Sequence, residues 1–515
     1  MSGHVRRITS RRGALLGVAG LAAAAACSAA PKPATLGAGP DLGTSAAAVP
    51  ASGPATTTGV GSTATGAPSA GSSSGGAPAP LATGGTVTGP VPTGGSSTAG
   101  GGPAHPPSSR PGRPTAHHPS SSGSTAPAIV NPLYTGAADT RGITPTSISI
   151  CAHAALTFGP AFGTSAKDLG VFWQALNDRG GIYKRKVTET YQDDQYTPGP
   201  AVTAATKCAA SNPFLILGGI GFDQIPAVRE WAEQHKELYV YHDATANGEA
   251  GKRYSFSALP TIEELGTQFA EVAHEKLPDA KWAVIHRDSA EWGPGYEAFL
   301  AEAKSLGVNV VYQAPVQNQQ SNYTQALVNA QQHGATAVFS WENALATTEM
   351  IKQAQVLAYK PTWLVFPFNL TSQSIDNGAL DPPMIGVATW PAYAYGASDG
   401  LFSAYAADMR EFEAEYAKYD PDINLAGVGG DLLFLNWEGQ KALAQIFLDC
   451  GADCTRSRFA NMLSTGYHHD FGGGCAIDFR PGDHHLGGHT VNVFTTFRDR
   501  DNRVDWRPTQ LCRPA

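Results

Sequence analysis

Residues 213–228 read PFLILGGIGFDQIPAV. The stretch Phe214–Ile220, apolar through Leu217, reads as a buried strand. Ala227-Val228-Arg229-Glu230-Trp231-Ala232 continues with a helical pattern. Between them the glycines make a strand-to-helix turn, and Asp223 stands where a helix N-cap is expected. Such a junction presents unpaired backbone N–H groups to whatever lies above it. It is not a phosphate loop, because G-x-x-x-x-G-K-[ST] is absent. The strand–turn–helix reading sets the fold class, and the rest of the chain can be read outward from it.

Upstream, Ser147–Cys151 reads as a strand, Ser165–Asn177 as a helix, Lys186–Tyr191 as a strand and Pro198–Ala210 as a helix. Downstream, Leu238–Tyr241 is a strand, and the alternation repeats. Helices are predicted over Glu263–His274, Gly295–Ala303, Tyr323–Gln332 and Ala346–Leu357. Strands are predicted over Trp282–His286, Val308–Tyr312, Ala335–Ser340 and Trp363–Phe366. Strict β–α alternation implies parallel sheets with crossover helices. So long an alternating stretch exceeds one sheet's usual size, so two α/β lobes are expected. Ligands of such sheets bind beyond the carboxyl ends of the strands.

The 515 residues are unevenly composed. Residues 1–27 read as a signal peptide: Arg6-Arg7 and Arg11-Arg12, then a short apolar run from Leu15, then alanines leading to Cys27. Ala24-Ala25-Ala26-Cys27 resembles a bacterial lipobox, in which the cysteine is lipidated. Ser10-Arg11-Arg12 also resembles a twin-arginine export signal. Residues 28–138 are dominated by Ala, Gly, Ser, Thr and Pro, which cannot build a core, and read as a disordered tether. About 100 such residues have a reach of roughly 50–60 Å. Gly71-Ser72-Ser73-Ser74-Gly75 matches the hydrolase G-x-S-x-G formally but lies in this tether, without strand or helix. A net charge of −8 with no basic stripe argues against nucleic acid as a partner. Six cysteines follow the leader: Cys151, Cys208, Cys450, Cys454, Cys475 and Cys512. In an exported chain they favour disulfides. Six allow 15 connectivities; the favoured set is Cys151–Cys208, Cys450–Cys454 and Cys475–Cys512. His468-His469-Asp470 and Asp483-His484-His485 with His489 read as solvated turn residues, because Gly487-Gly488 breaks helical ligand spacing. No metal and no cofactor are implied.

Phe172-Trp173-Gln174-Ala175-Leu176-Asn177-Asp178-Arg179-Gly180-Gly181-Ile182, a strand, and then Asp193-Asp194-Gln195-Tyr196-Thr197-Pro198 set N-x-x-G-G-I and D-D-x-x-x-P in order. This resembles the branched-chain-amino-acid type of periplasmic binding protein. Leu217-Gly218-Gly219, Asp243-Ala244-Thr245-Ala246, Ala290-Glu291-Trp292-Gly293-Pro294-Gly295 and Asp478–His485 fall at matching segments, so the resemblance covers about residues 143–500. It implies two Rossmann-like lobes joined by several crossovers, with lobe I at about 143–261 and 392–474 and lobe II at about 262–391 and 475–515, in a domain over 139–515. It also implies a small-molecule ligand, an ABC transporter permease as partner, and no enzymatic activity. Amino-acid-binding members hold the ligand carboxylate with hydroxyl groups in the turn after the third strand, where this chain has Phe222 and Asp223. They hold the ammonium group with an acid in lobe II, where this chain has Phe368. A branched-chain α-amino acid is therefore not the expected ligand. Phe162, Phe222, Asp223, Ala244, Thr245, Trp292, Trp341, Glu342 and Phe368 are the implied ligand contacts. A ligand-sensing module of the same fold and a secreted hydrolase are the competing readings, the latter without a recognisable nucleophile–base set.

The leader generates a first prediction. Cys27→Ser is expected to release the protein into the medium, and mass spectrometry of the wild type is expected to find a diacyl-modified cysteine. A wild type without lipid, and a variant that stays with the membrane, would remove the lipoprotein reading.

Overall fold

A computed structural model of the chain describes residues 132–157, 164–219, 221–241, 252–317, 320–367, 382–390, 392–393, 403–425, 429–470, 475–481, 487–498 and 504–514. Cys27, Phe162, Asp243, Ala244, Thr245, Phe368, His484 and His485 lie outside them, as do the leader and nearly all of the tether.

In lobe I, strands β1 (Ser147–Ala154), β2 (Lys186–Asp193), β3 (Leu215–Leu217), β4 (Tyr239–Tyr241) and β5 (Ser255–Ser257) form a parallel sheet in the order β2-β1-β3-β4-β5. Helices α1 (Ala166–Leu169), α2 (Val171–Asp178), α3 (Pro198–Ala210) and α4 (Gln224–His235) connect its strands from β1 to β4. The helix expected over 165–177 is broken at Gly170, whose N–H turns back to the Lys167 carbonyl at 3.2 Å. The N-x-x-G-G-I motif has a structural meaning. Asn177 Nδ2 donates to the Val187 carbonyl, and its Oδ1 accepts from the Val187 N–H, both at 2.7 Å, so the end of α2 guides the chain into β2. Gly181 has φ 67°, and a Cβ there would lie 2.0 Å from the Arg185 carbonyl oxygen, so only glycine fits the turn.

The chain crosses to lobe II after β5. It builds α5 (Ile262–Lys276), β6 (Lys281–Arg287), α6 (Gly293–Ser305), β7 (Asn309–Val316), α7 (Thr324–Gln332), β8 (Ala337–Trp341), α8 (Ala344–Val356), β9 (Thr362–Val365) and β10 (Ile385–Ala388). It returns to lobe I for α9 (Ser403–Tyr419), α10 (Gly430–Cys450) and α11 (Arg456–Thr465), and for the hairpin of β11 (Tyr467–His469) and β12 (Ile477–Phe479). A third passage leads to β13 (Thr490–Arg498) and β14 (Val504–Pro514). These last strands are antiparallel and complete a seven-stranded sheet, β14-β13-β10-β9-β8-β6-β7. Strict alternation did not foresee them, because a hairpin needs no crossover helix.

Separate apolar clusters cover the two faces of each sheet. Packing in lobe I reaches back to Tyr134, which lies under the Arg456 guanidinium at 3.8 Å. The Asp139 carbonyl and carboxylate accept from the Arg456 and Ser457 N–H groups at the start of α11. Cys151 is joined to Cys208, tying β1 to α3, and Cys450 is joined to Cys454 at the end of α10. The third expected bridge is not formed. Cys475 Sγ donates to Asn492 Oδ1 at 3.3 Å, and that same oxygen accepts from the Cys512 N–H at 3.0 Å. Cys512 itself has φ 54°. Asn492 Nδ2 donates to the Thr389 carbonyl at 3.2 Å, so this one side chain binds the second passage to the third.

Helices α5 and α6 meet backbone to backbone at Gly266 and Gly295, where a Cβ on Gly266 would lie 1.9 Å from the Gly295 carbonyl oxygen. Gly266→Ala is expected to cost about 1–3 kcal/mol by urea unfolding, as overpacking does. Gly199→Ala in α3 meets open space and is expected to cost nothing or to stabilise.

Candidate functional site

The turn after β3 is closed by the protein itself. The Gly218 N–H donates to the Val240 carbonyl at 2.7 Å. The Gly219 N–H donates to Nε2 of His153 at 3.3 Å. His153, at the end of β1, is fully buried. Its Nδ1 lies 2.8 Å from the Asp194 carboxylate, and its Nε2 lies 2.9 Å from the Tyr239 hydroxyl. With Nδ1 donating to Asp194, Nε2 accepts from both Tyr239 and Gly219. Side chains cannot enter this turn: a Cβ on Gly218 would lie 2.4 Å from Tyr241 Cβ, and one on Gly219 would lie 2.3 Å from the His153 carbonyl oxygen. The second aspartate of the D-D motif is therefore the anchor of a histidine, which holds the glycine turn. Sequence reading did not single out His153; the signal was a lone histidine ending an apolar strand and a buried carboxylate in a recurring motif.

Beside the turn lies a shallow concavity open to solvent. His153, Thr164, Tyr191, Gly218, Gly219 and Asn436 are among the residues that line it. It opens at the carboxyl ends of β1 and β3, where ligands of parallel sheets bind.

On the other side of the turn the two lobes touch through charge. Asp223 was expected to cap α4, but its side chain makes no cap hydrogen bond. It reaches across to lobe II, where Arg287 Nη1 donates to its Oδ2 at 2.7 Å. Arg287 is the last residue of β6, one beyond the strand end read from the sequence, and its side chain is fully buried. Glu342, at the end of β8 and fully buried, takes the other edge of the guanidinium. Nε lies 3.1 and 3.2 Å from the two carboxylate oxygens, and Nη2 lies 2.8 Å from Oε2. The Asn343 N–H donates to the same Oε2 at 2.9 Å. Burial is the strongest single influence and works against the charge of Arg287, but hydrogen bonding to Glu342 and the nearby negative charges together outweigh it and hold the guanidinium above its usual range. Burial pushes the Asp223 carboxyl up, and Arg287 offsets part of that rise.

The aromatics surround this cluster. The Trp292 ring lies under the guanidinium at 4.5 Å. Phe222 of lobe I packs edge-on against Trp292 at 4.5 Å and against Phe366 of lobe II at 5.7 Å. Trp341 is fully buried in lobe II among Phe269, Phe339 and Phe366, and its Nε1 donates to the Trp292 carbonyl at 2.9 Å. Phe222, Asp223, Trp292, Trp341 and Glu342 are thus brought together, with Trp341 turned into the core. Arg287, missed in the sequence, is what joins them. The histidines at 468 and 469 lie 3.3 and 3.4 Å from Asp478 and Asp449. Among the described residues no cluster of metal-ligating groups is found.

Removing one partner of a buried ion pair leaves a charge unmet. Glu342→Leu is therefore expected to cost about 3–5 kcal/mol by urea unfolding, and adding Arg287→Met to recover most of it. Equal losses in the single and double variants would show that packing, not charge, dominates here.

A family model described as periplasmic binding protein matches residues 171–500. None of the curated proteins matches this chain. Solved structures share the fold at low identity. A fatty acid ABC transporter substrate-binding protein from Thermomonospora curvata has a TM-score of 0.57 at 14% identity, over 73% of this chain and 94% of that one. A solute-binding protein from R. palustris in complex with 4-hydroxybenzoate has a TM-score of 0.58 at 14% identity, over 72% and 98%. A branched-chain amino acid transporter substrate-binding protein from Streptococcus pneumoniae, in complex with isoleucine, has a TM-score of 0.55 at 14% identity, over 70% and 100%. Two lobes linked by three passages, with the ends of both sheets meeting at one cluster and a family match over most of the folded part, make this chain a member of the periplasmic binding protein family.

Proposed function

We infer that the protein is an exported solute-binding protein that takes a small molecule between its lobes and delivers it to an ABC importer, held at the outer face of the cell membrane by lipid on Cys27. The observation that carries the reading is the contact of Asp223 with Arg287, which brings the carboxyl ends of β3 and β6 together from opposite lobes. A site formed this way changes when the lobes separate, as capture and release require. Substrate-binding proteins of ABC transporters are among the similar structures. The rings of Phe222 and Trp292 at the seam suit a ligand with an apolar or ring face. Leucine, isoleucine and valine fit poorly. Glu342, the acid at the lobe II strand end, already meets Arg287 through both oxygens and has little left for an ammonium group.

A thermal-shift screen of the mature protein tests this. A ligand at 100 times its dissociation constant is expected to add about 2.7 kcal/mol of stability. Solution scattering is expected to give a smaller radius of gyration with that ligand than without. A stabilising ligand that leaves the radius unchanged would place its site outside the cleft, and micromolar leucine binding by calorimetry would overturn the ligand exclusion.

A further inference from the structure

We propose that Arg287 is the ligand-recognising residue of the cleft, and that it takes a carboxylate of an apolar or ring-bearing organic acid in the place now held by the Asp223 carboxylate. This rests on the solute-binding reading and extends it to the chemical class of the ligand.

The guanidinium has two roles on two edges. Nε and Nη2 are held by Glu342, which is itself fixed by the Asn343 N–H. All three residues belong to lobe II, so this pair stays together when the lobes part. Nη1 faces lobe I and is met by Asp223. On opening, Asp223 leaves with α4, and a charged donor of fixed direction loses its second carboxylate. Nη1 offers a ligand carboxylate a charge-assisted hydrogen bond of fixed direction, as it now offers Asp223. The Trp292 face under the guanidinium and the Phe222 edge beside it supply an apolar wall at that place.

Asp223 has somewhere else to go. It is the N-cap residue of α4, a 12-residue helix whose first N–H groups receive no side-chain cap in this structure. The Ile225 N–H is already taken by the Gly221 carbonyl and Pro226 has none, so what this position offers a carboxylate is the positive end of the helix and water. The exchange therefore leaves no buried charge unmet: the ligand carboxylate lies on Arg287, and the Asp223 carboxylate lies in water at the positive end of its helix. Glu342 has no such second position, which makes it the permanent partner. The amine of an α-amino acid gains nothing in this exchange, since both acids are engaged. The deaminated acid is the better ligand.

Calorimetry on the full mature chain tests the assignment. The probes are benzoate, 4-hydroxybenzoate and 4-methylpentanoate, each beside its primary amide, with leucine as the amine-bearing counterpart of the last. The acids are expected to bind about 10- to 100-fold more tightly than their amides, the span of one charge-assisted hydrogen bond. Leucine is expected to bind more weakly than 4-methylpentanoate. Arg287→Lys, which cannot hold Glu342 and direct a second donor at lobe I at once, is expected to remove most of the preference for acids. Asp223→Asn keeps the shape but removes the competing charge, so it is expected to tighten the acids by roughly the same factor. That gain does not depend on whether the Arg287 variant folds. Acids that fail to bind, amides that match them, or weaker binding in Asp223→Asn would overturn the assignment. A neutral molecule that stabilises the protein and is indifferent to both substitutions would overturn it while leaving the solute-binding reading intact. A protein that binds no small molecule at all would sink both.

Discussion

Arg287 carries a charge with no exposed surface, and a buried guanidinium is tolerated only where carboxylates meet it. Glu342 supplies one from the same lobe and Asp223 supplies one from the other. The consequence is architectural. A buried charge whose full set of partners exists only when two bodies touch couples their approach to electrostatics, and desolvation makes that coupling stronger than at a surface. The aromatic contacts follow the same line. Phe222 leaves its own lobe to pack on Trp292 and Phe366, so the seam between the lobes is built from one ion pair and one ring cluster, side by side.

Lobe II is prepared for this by its glycines. Gly266 and Gly295 let α5 and α6 touch, and Trp341 fills the space against Gly295, where a Cβ would lie 2.2 Å from its ring. Trp341 in turn holds the Trp292 carbonyl. The ring beneath Arg287 is thus set from behind by core packing. A wall fixed in this way costs less entropy on binding than a mobile one.

The parallel lobes were legible because hydrophobic period and glycine position are local properties. Asn177 and Gly181 stood out in the N-x-x-G-G-I motif, and the structure gives each a local task. The turn at Gly218-Gly219 was legible as a turn but not as a closed one, because its partner His153 lies 66 residues upstream. Asp223 was read as a cap for the same reason: a local rule names the nearest acceptor, while Arg287 arrives from another sheet. Glu342 and Trp292 were picked out at strand and helix ends. The residue that unites them was passed over because β6 was ended at His286. Charged residues at strand ends break the apolar pattern that defines a strand, so sites of this kind fall where periodicity stops reporting. The antiparallel β13 and β14 were hidden similarly, since a closing hairpin leaves no helix signature between its strands.

The attachment of Tyr134 and Asp139 to α11 has a mechanical consequence. Everything that precedes Tyr134 joins the folded part through lobe I, at a point braced by Arg456 and Ser457. A pull along that chain is borne by the α11 end of lobe I and does not load the seam at Asp223. Lobe II is joined to it only through the passages between the sheets. Lobe I is then the lobe that holds the preceding chain, and lobe II is carried by it through the passages between the sheets.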